Sequence, residues 1–472
     1  EGLAEQLVPR GGGRGAPRLR VPERRQLGWE ALTLDEMLPP DHRARVVWSF
    51  VEGLDLSELY ERVKAIEGRP GQPPADPRLL LGLWLYATTE QIGSARALDR
   101  QCREHVGFRW MCGGVSMNYH TLSDFRVGHP GVLERLLTQS FAVLLHSGVA
   151  TLGRVAQDGM RVRASAGAAS FRRRRTLEQC QEIAQGEVAR LRNEIERDPD
   201  AGTKRQRKAR ERAAREREAR VAEALAMLTA LQRRAGKPAT GDTGGKPSTD
   251  KPPADKPPAD KPPTDKPPAD KPSAGSAGGK PPAEPRASTT DPEARVMKMA
   301  DGGFRPAFNV QFATDTASQL IAGVAIGNVG SDQGQMGEMV EQLVARYERR
   351  PAEVLVDGGY TKLADIEAVS ATGETTVYAP VTKPRDPARD PHAALDKDTP
   401  KVAEWRVRMG TPEAQAIYKE RAATAECVNA LARNRGLLRF NVRGLLKAKA
   451  VAMLSALAHN MMRSASLTPI AT

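Results

Sequence analysis

Two acidic residues follow apolar segments in a way that would place carboxylates side by side. Asp158 ends a segment that begins at Val155, Asp357 ends one that begins at Val354, and glycine follows both acids. Such runs are typical of buried strands, and ligands bind at the carboxyl ends of these strands. One acid alone more often caps a turn. Two at neighbouring strand ends repel each other unless a cation lies between them, which predicts Mg²⁺ or Mn²⁺ held by oxygen ligands.

A third acid, Glu426, lies in a predicted helix from Pro412 to about Arg435. At about 100° per residue, small alanines share its face, so this helix can lie close to a sheet edge. Lys419 and Arg433 lie on the same side and would hold phosphates beside a metal. From this helix alone, a solvated charged face is an equally good interpretation.

The net charge indicates the kind of partner. The chain of 472 residues has 71 Lys and Arg against 58 Asp and Glu, a formal net charge of +13. This surplus suits a polyanion, nucleic acid first, although a basic protein without such a partner would have the same charge. The length predicts two or three domains.

The cysteines and apolar runs predict a cytosolic protein. Four scattered cysteines are too few for a disulfide framework, which indicates a reducing compartment. The longest apolar run, Leu79 to Ala87, is too short to span a bilayer, and we identify no leader sequence. One series has C-x2-H-x6-C-x7-H spacing without the paired short spacings of zinc modules, so we interpret its members as core thiols and ordinary histidines: Cys102, His105, Cys112 and His120.

Residues 30–150 have the periodicity of an all-helical domain. A predicted helix from Ser94 to His105 is followed, after a glycine break, by a second that starts near Tyr119, with Thr121 or Ser123 as the expected N-cap. Four arginines are the candidates for reading DNA: Arg96, Arg100, Arg103 and Arg126. The two helices would form a helix-turn-helix-like reader, or else a packing domain with a solvated arginine face.

Three further segments differ from both domains in composition. Residues 1–29 are rich in Gly and Arg and predict a disordered basic arm. Residues 171–235 predict an antiparallel helical hairpin with a heptad-like apolar stripe. Residues 236–290 repeat Lys-Pro-Pro-Ala-Asp, which favours an extended, disordered spacer; a proline-motif docking site is the alternative.

Without this insertion, residues 151–170 and 291–465 predict one α/β unit. Its order is a strand with Asp158, a hairpin of two strands, a helix opened by a capping box at Asp332, and a strand with Asp357. A helix, a strand, a loop over residues 383–400, the helix with Glu426 and a final helix follow. In a mixed sheet whose first and fourth strands are neighbours, the two aspartates lie side by side.

Several motifs in this order resemble the DDE (Asp-Asp-Glu) transposases of bacterial insertion sequences. They are Val155 to Gly159 with Arg161 to Ala164, Thr290 to Arg295, Phe308 to Gln311, Val356 to Tyr360, Tyr418 and Arg421 before Glu426, and Ala456 to Asn460; Tyr119 to Arg126 resembles the preceding helical domain. The resemblance covers residues 40 to 465 without the insertion. One departure is Arg433, seven residues after the glutamate, where relatives commonly have Lys.

The resemblance implies an RNase H-like mixed-sheet catalytic core with an all-α N-terminal domain. It implies that Asp158, Asp357 and Glu426 hold two Mg²⁺ or Mn²⁺ ions. The remaining cations would neutralise DNA phosphates: Lys419, Arg421, Arg433, Arg435, Arg439, Arg443, Lys447 and Lys449.

The implied function is cut-and-paste transposition. The protein would bind terminal inverted repeats, cut at the element ends and join the 3′ hydroxyls to target DNA. It would act as a homodimer in the bacterial cytoplasm, at the nucleoid, without a membrane or a small-molecule substrate. The alternatives are a catalytically silent DNA-binding protein derived from a transposase, and an RNase H-like nuclease without strand transfer.

Overall fold

The computed structural model describes residues 25, 31–65, 72–197, 203–235, 284–384 and 386–467. The predicted basic arm, apart from Arg25, lies outside these residues, and so does the predicted spacer from 236 to 283. No helix within the described ranges is long and apolar enough to cross a membrane.

A six-stranded mixed sheet forms the centre of the α/β unit. Its strands are β1 (Arg154–Arg163), β4 (Arg295–Lys298), β5 (Phe304–Asp315), β6 (Ile321–Gly327), β7 (Glu353–Leu355) and β8 (Thr376–Tyr378). The order is β4-β5-β1-β7-β8, and β6 also pairs with β5. β1 is antiparallel to β5 and parallel to β7. The predicted β5–β6 hairpin and the predicted adjacency of the two aspartate strands are therefore confirmed; β4 was not expected.

The described part of the chain before the sheet contains seven helices: α1 (Arg43–Glu52), α2 (Ser57–Glu61), α3 (Pro77–Thr89), α4 (Ala95–Glu104), α5 (Val106–Cys112), α6 (Tyr119–Gly128) and α7 (Pro130–His146). Side-chain caps define several starts. The Ser94 hydroxyl accepts a hydrogen bond from a backbone N–H of α4. The cap expected at Thr121 or Ser123 is wrong, because Asn118 caps α6 by accepting from the backbone N–H groups of His120 and Thr121.

The C-terminal helix α15 (Leu445–Leu467) connects the N-terminal helices to the sheet. Within the described residues, one buried apolar cluster includes Trp84 of α3, Leu122 of α6, Phe308 of β5 and Leu457 of α15. Burying each such side chain contributes about 1.5–3 kcal/mol. Residues 30–150 therefore share a core with the α/β unit, and deleting them would expose that core.

The inserted segment forms the expected antiparallel hairpin of α8 (Arg174–Arg197) and α9 (Lys204–Ala235). Leu177, near the start of α8, packs with Leu228, near the end of α9. Arg174 donates to Thr229 Oγ1 and Gln232 Oε1, both at 2.9 Å. At the base, the short strands β2 (Phe171–Arg172) and β3 (Ala287–Ser288) pair antiparallel and return the chain to the sheet.

In the described residues, five helices lie between the β5–β6 hairpin and α15: α10 (Gln335–Tyr347), α11 (Leu363–Ser370), α12 (Pro400–Arg408), α13 (Pro412–Arg421) and α14 (Cys427–Asn434). α12 was not expected. The helix predicted from Pro412 to Arg435 is interrupted, because Ala422–Glu426 form a π-helical turn between α13 and α14. The predicted capping box is wrong: α10 begins after Gly334 without a side-chain cap, and Asp332 is buried elsewhere.

Candidate active site

The parallel pairing of β1 with β7 brings two of the three predicted acids together. Its register aligns Ala156 with Leu355, so Asp158 and Asp357 each lie two residues beyond the last aligned pair. The prediction that Asp158 ends its strand is wrong, because β1 continues past Asp158 and pairs with β5 as far as Arg163. Only β7 ends at this level, and the gap that it leaves beside Asp158 is where Asp357 lies.

Asp357 also performs the ordinary task of a strand-end aspartate. Its carboxylate accepts a hydrogen bond from the backbone N–H of Gly359 at 2.7 Å and caps the 3₁₀ turn Gly358–Tyr360. This bond fixes one carboxylate oxygen and leaves the side chain partly exposed. Capping and ligand binding are compatible here, since a carboxylate has about four lone-pair sites.

Glu426 is connected to Asp158 through Arg421. One guanidinium nitrogen of Arg421 lies 2.5 Å from Glu426 Oε1, and the other lies 3.8 Å from Asp158 Oδ2. The Arg421 side chain is only 13% exposed, whereas that of Glu426 is 53% exposed. Arg421 therefore occupies the space between the two carboxylates and neutralises part of their charge.

The electrostatics of Asp158 reflect this crowding. Burial raises the pKa of its carboxyl group to about 6; Arg421 opposes that shift and the neighbouring Asp357 adds to it. Burial opposes the charge of Arg421, but Tyr418, Asp158 and Glu426 outweigh burial and raise the pKa of Arg421. A carboxyl with a raised pKa beside a second carboxyl gains most from an added cation.

The donor chemistry of the cluster fits a hard divalent cation. Asn429 of α14 donates to Asp158 Oδ2 at 2.9 Å, and its buried Oδ1 has no hydrogen-bond partner among the described residues. In the described part of the chain, no three acidic, His or Cys side chains already converge as a cation site. Carboxylate and amide oxygens are the ligands that Mg²⁺ and Mn²⁺ prefer. Asp158, Asp357 and Glu426, with the amide oxygen of Asn429, are the residues that could hold such a cation.

Two models of protein families match parts of the chain. A model described as a transposase domain (DUF772) matches residues 32–127, which span α1 to α6. A second, described as a transposase DDE domain, matches residues 390–465, which include Glu426. The two matches support an insertion-sequence DDE transposase. No curated protein and no solved structure matches it.

DDE transposases act on DNA and generally use divalent metal ions. The residues predicted to contact phosphates differ in their exposure and in their contacts within the protein. Lys419, Arg439 and Arg443 are exposed, and Arg433 is partly exposed. Arg435 lies 3.1 Å from His459 Nδ1, and burial lowers the pKa of its guanidinium.

Two further predicted contacts of the C-terminal region also differ. Lys447 is exposed, but Lys449 donates to Glu134 of α7 at 2.6 Å. Lys449 therefore joins α15 to the N-terminal helices, and its charge is already paired.

The four arginines proposed as readers of the DNA ends do not share one environment. Arg96, Arg100 and Arg103 are exposed on one face of α4, as predicted. Arg126 is a correction, because it is only 5% exposed. Its guanidinium lies 4.5 Å from the Trp84 ring centre and donates to Gly93 O at 2.6 Å. This arginine belongs to the core and does not reach the surface where DNA would bind.

Arg421 requires a similar correction. It was expected on a DNA surface, but it is only 13% exposed and lies between Asp158 and Glu426. The π-helical turn allows this, because it brings Glu426, five residues further along, against Arg421, which a regular α-helix would not do.

Sequence reasoning missed a group of polar residues behind the two aspartates. Asp332, Asn309 and Gln311 are all buried, and both amides donate to Asp332 Oδ1. A signal was present in the sequence, since Asn309 and Gln311 are two amides at alternate positions of an otherwise apolar strand. Alternate positions point to one face of the sheet, and buried amides need polar partners there.

Proposed function

We propose that this protein binds the terminal inverted repeats of an insertion sequence, cuts the DNA at both ends and joins the 3′ hydroxyls to target DNA. One observation carries the proposal: the β1–β7 register places Asp158 beside Asp357, and Arg421 connects Asp158 to Glu426. The three acids come from segments separated by 199 and 69 positions in the sequence, in a chain with two transposase domain matches.

The strand order supports an RNase H-like core. Apart from β4, the strands succeed one another in the chain as β1, β5, β6, β7 and β8, and the sheet arranges them as β6-β5-β1-β7-β8. Only β5 runs antiparallel to both of its neighbours, β1 and β6. This order supports an RNase H-like core, in which Asp158 lies within β1 and Asp357 follows β7.

Asp158, Asp357 and Glu426 would hold Mg²⁺ or Mn²⁺. The bound metal supplies Lewis-acid stabilisation of phosphoryl oxygens and lowers the pKa of water or of a 3′ hydroxyl. The chain's own residues do the rest. Asn429 orients the Asp158 carboxylate, and the Gly359 N–H orients that of Asp357. Arg421 neutralises part of the charge of Asp158 and Glu426.

The DNA backbone would lie across the exposed cations near this site. Lys419, Arg433, Arg439, Arg443 and Lys447 are the proposed phosphate contacts, and Arg96, Arg100 and Arg103 of α4 are the proposed contacts to the repeats. Two ends must be cut in concert, so we propose a homodimer, which acts on bacterial nucleoid DNA in the cytoplasm.

Substituting Asp357 tests the proposal. A plasmid that carries the gene with its natural flanking DNA would be incubated with the wild type, with Asp357→Asn and with a matched variant, Asp396→Asn, whose carboxylate is exposed on the loop before α12. We expect Asp357→Asn to lose cleavage and strand transfer but keep DNA affinity, and Asp396→Asn to behave as the wild type. Cleavage by Asp357→Asn in Mg²⁺ would refute the site.

The products separate the alternatives. A wild-type protein that binds the ends but cuts nothing in Mg²⁺ or Mn²⁺ would be a silent DNA-binding protein. Cut ends without joined products would indicate a nuclease without strand transfer. Joined products that require the divalent ion would establish the transposition reaction.

A further inference from the structure

Asp332 lies directly behind the two segments that bear the proposed metal-binding aspartates. A methyl group placed on Gly159 would lie 2.6 Å from Asp332 Oδ1, and one placed on Gly359 would lie 3.5 Å from Asp332 Oδ2. Gly159 is therefore required for the close approach of this carboxylate. One buried acid thus contacts the residue that follows Asp158 and the turn that follows Asp357.

Both oxygens of the Asp332 carboxylate accept hydrogen bonds from protein side chains. Its Oδ1 accepts from Asn309 Nδ2 at 2.7 Å and from Gln311 Nε2 at 2.8 Å, and its Oδ2 accepts from Arg161 Nη2 at 2.7 Å. Asp332 is 6% exposed, and the paired Arg161 balances its charge. Because Arg161 already neutralises this buried carboxylate, we do not assign Asp332 to the ligand set.

These bonds determine which way the Gln311 side-chain amide points. Because Asp332 accepts only from the amide nitrogen, Gln311 Oε1 must face the other way. There it accepts from Gln157 Nε2 at 3.2 Å and from the Tyr360 hydroxyl. Gln157 precedes Asp158 by one residue, and Tyr360 follows Asp357 by three.

We propose that Asp332 is a positioning residue for the metal site. By orienting Gln311 it ties Gln157 to Tyr360, and it thereby fixes the distance between the strand segments that carry Asp158 and Asp357. The inference rests on the proposed function, because it assumes that these two carboxylates hold the cation. Residues that orient metal ligands typically change metal affinity or activity by about 10–100-fold when they are replaced.

Mn²⁺ binding to the full-length protein without DNA is the direct test, measured by titration calorimetry and by the loss of the free-ion electron paramagnetic resonance signal. In Asp332→Asn an amide N–H would face donors, so the Gln311 amide loses its fixed orientation. We expect the variant to bind Mn²⁺ about 10–100-fold more weakly than the wild type. Its affinity for end-containing DNA in EDTA should be unchanged.

Asp315 provides the matched control. It is another fully buried aspartate of the same sheet, at the opposite end of β5, and its carboxylate accepts from the backbone N–H groups of Leu152 and Ser318. Asp315→Asn should lower the melting temperature without weakening Mn²⁺ binding. If Asp332→Asn binds Mn²⁺ as the wild type does, or if both variants lose affinity equally, the inference is wrong.

Tyr360→Phe covers the case in which Asp332→Asn does not fold. It removes only the hydroxyl that Gln311 Oε1 accepts, and it should weaken Mn²⁺ binding in the same direction by a smaller factor. Unchanged Mn²⁺ affinity in a folded Tyr360→Phe would also refute the inference. A wild type that binds no Mn²⁺ and cuts no DNA would instead refute the proposed function.

A second, independent observation concerns the charge of the helical hairpin. α8 contains five basic and five acidic residues, whereas α9 contains eleven basic and four acidic residues, a surplus of seven. On the side of α9 away from α8, four exposed cations are spaced three and four residues apart: Arg205, Lys208, Arg212 and Arg215. We call this set the α9 stripe.

Most of the charge in the α9 stripe is unpaired. Arg215 pairs with Glu211, but Arg205, Lys208 and Arg212 form no ion pair with any residue that the structure describes. The stripe covers ten helical steps, or about 15 Å. Phosphates of one DNA strand succeed one another every 3.4 Å or so along the duplex axis, so about four of them lie within that length.

We infer that the α9 stripe binds the phosphate backbone of duplex DNA without reading its sequence. This inference also rests on DNA being the substrate. We choose DNA as the partner because its negative phosphates complement the positive charges of the α9 stripe. The hairpin would then act as an arm that holds DNA outside the carboxylate cluster.

Salt dependence measures this contact. Affinity for a 40-base-pair duplex without inverted repeats would be followed from low to high KCl. Replacing the four stripe residues with Gln should reduce the slope of log K against log salt by about 3–4, at roughly 0.9 per phosphate contact. The matched control replaces four exposed α8 arginines with Gln: Arg175, Arg190, Arg192 and Arg197.

The outcomes are distinct. An equal loss in both quadruple variants would mean a general charge effect and would overturn the inference, as would an unchanged slope. A stripe variant whose DNA slope is unchanged but whose dimer dissociates in sedimentation would assign the stripe to a second copy of the chain. Normal cleavage by the wild type in these experiments would leave the proposed function standing.

Discussion

The carboxylate cluster and the helical hairpin use charge in opposite ways. In the cluster, polar contacts join residues that are far apart in the chain, such as Asn429 and Asp158, which are 271 residues apart. In the hairpin, the ion pairs join residues three or four apart on exposed helix surfaces, such as Arg190 with Glu187 and Arg215 with Glu211. The first arrangement depends on the tertiary fold, and the second depends only on a helix.

This difference predicts where substitutions matter. An exposed helical ion pair contributes about 0.3–0.5 kcal/mol, and salt weakens it further. A buried carboxylate that loses a partner carries an uncompensated charge, which costs several kilocalories per mole. Charge in the cluster should therefore control activity, whereas any single charge in the hairpin should be replaceable.

The largest effect is expected from Asp158→Asn. The variant keeps the shape of the side chain but removes the charge that we assign to the cation, so cleavage should fall by at least about a thousandfold, the scale of lost electrostatic stabilisation. Cleavage of end-containing plasmid under single-turnover conditions measures this. Glu178→Gln, which changes an exposed hairpin acid, is the control and should leave the rate unchanged.

The second-largest effect is expected from removing the apolar contact between the two helices of the hairpin. Leu228 is fully buried against Leu177, so Leu228→Ala should destabilise the hairpin by about 2–5 kcal/mol. The α/β unit should keep its fold, since these leucines lie outside its apolar clusters. Hydrogen exchange by mass spectrometry would show faster exchange in α8 and α9 alone; faster exchange in β1 and β7 as well would contradict the separation.

A smaller effect on stability is expected from protonation of His459, which lies in α15 and contacts the α/β unit. Burial lowers its pKa to about 4. Its Nε2 lies 2.8 Å from Gln319 O, and Gln319 donates to Ala423 O in the π-helical turn. Because the folded pKa lies below the ordinary value of 6.5, the folded state binds this proton less readily than the unfolded state does.

His459 therefore stabilises the fold fully above about pH 6.5, and this contribution is lost as the pH falls towards 4. At pH 5 the loss amounts to about 2 kcal/mol. Chemical denaturation of the wild type and of His459→Gln at pH 7.5 and pH 5 measures it, and the variant should lose less stability than the wild type over this range. Equal losses in both proteins would show that His459 is not the group responsible.

The smallest effect is expected from Arg190→Gln in the hairpin. Arg190 pairs with Glu187 and Glu194 on an exposed surface. We expect its free energy of unfolding to change by less than about 0.5 kcal/mol. A loss above about 1 kcal/mol in urea denaturation would mean that these local ion pairs act as a network, and the contrast with the cluster would then be weaker.

The sequence was sufficient for features that depend on local patterns and on chain order. The apolar runs before Asp158 and Asp357 identified their strands, and the order of elements placed those strands together in the sheet. The spacing of Leu177 and its neighbours identified the hairpin. In each case the spacing of the apolar residues fits one type of secondary structure only.

The remaining features depend on contacts that no local pattern specifies. Arg126 lies in a predicted helix, as the exposed arginines do, yet the ring of Trp84 and the carbonyl of Gly93 hold it in the core. Asp332 has the spacing of a helix cap, but the buried amides of Asn309 and Gln311 offer it better partners. Tertiary partners decided both cases.

The π-helical turn at Ala422–Glu426 has a consequence for how this helix tolerates insertions and deletions. In a regular α-helix, residues five positions apart point about 140° away from each other, so Arg421 and Glu426 would not meet. The wider turn accommodates one surplus residue and brings them within 2.5 Å. Deleting Ala423 would remove the surplus residue and restore the ordinary winding, and Asn429 would keep its orientation because the wider turn already absorbs that residue. Deleting Val428, outside the turn, would instead rotate the rest of α14 by about 100°. The wider turn is therefore a place where this helix can lose one residue and still face Asp158 with both halves.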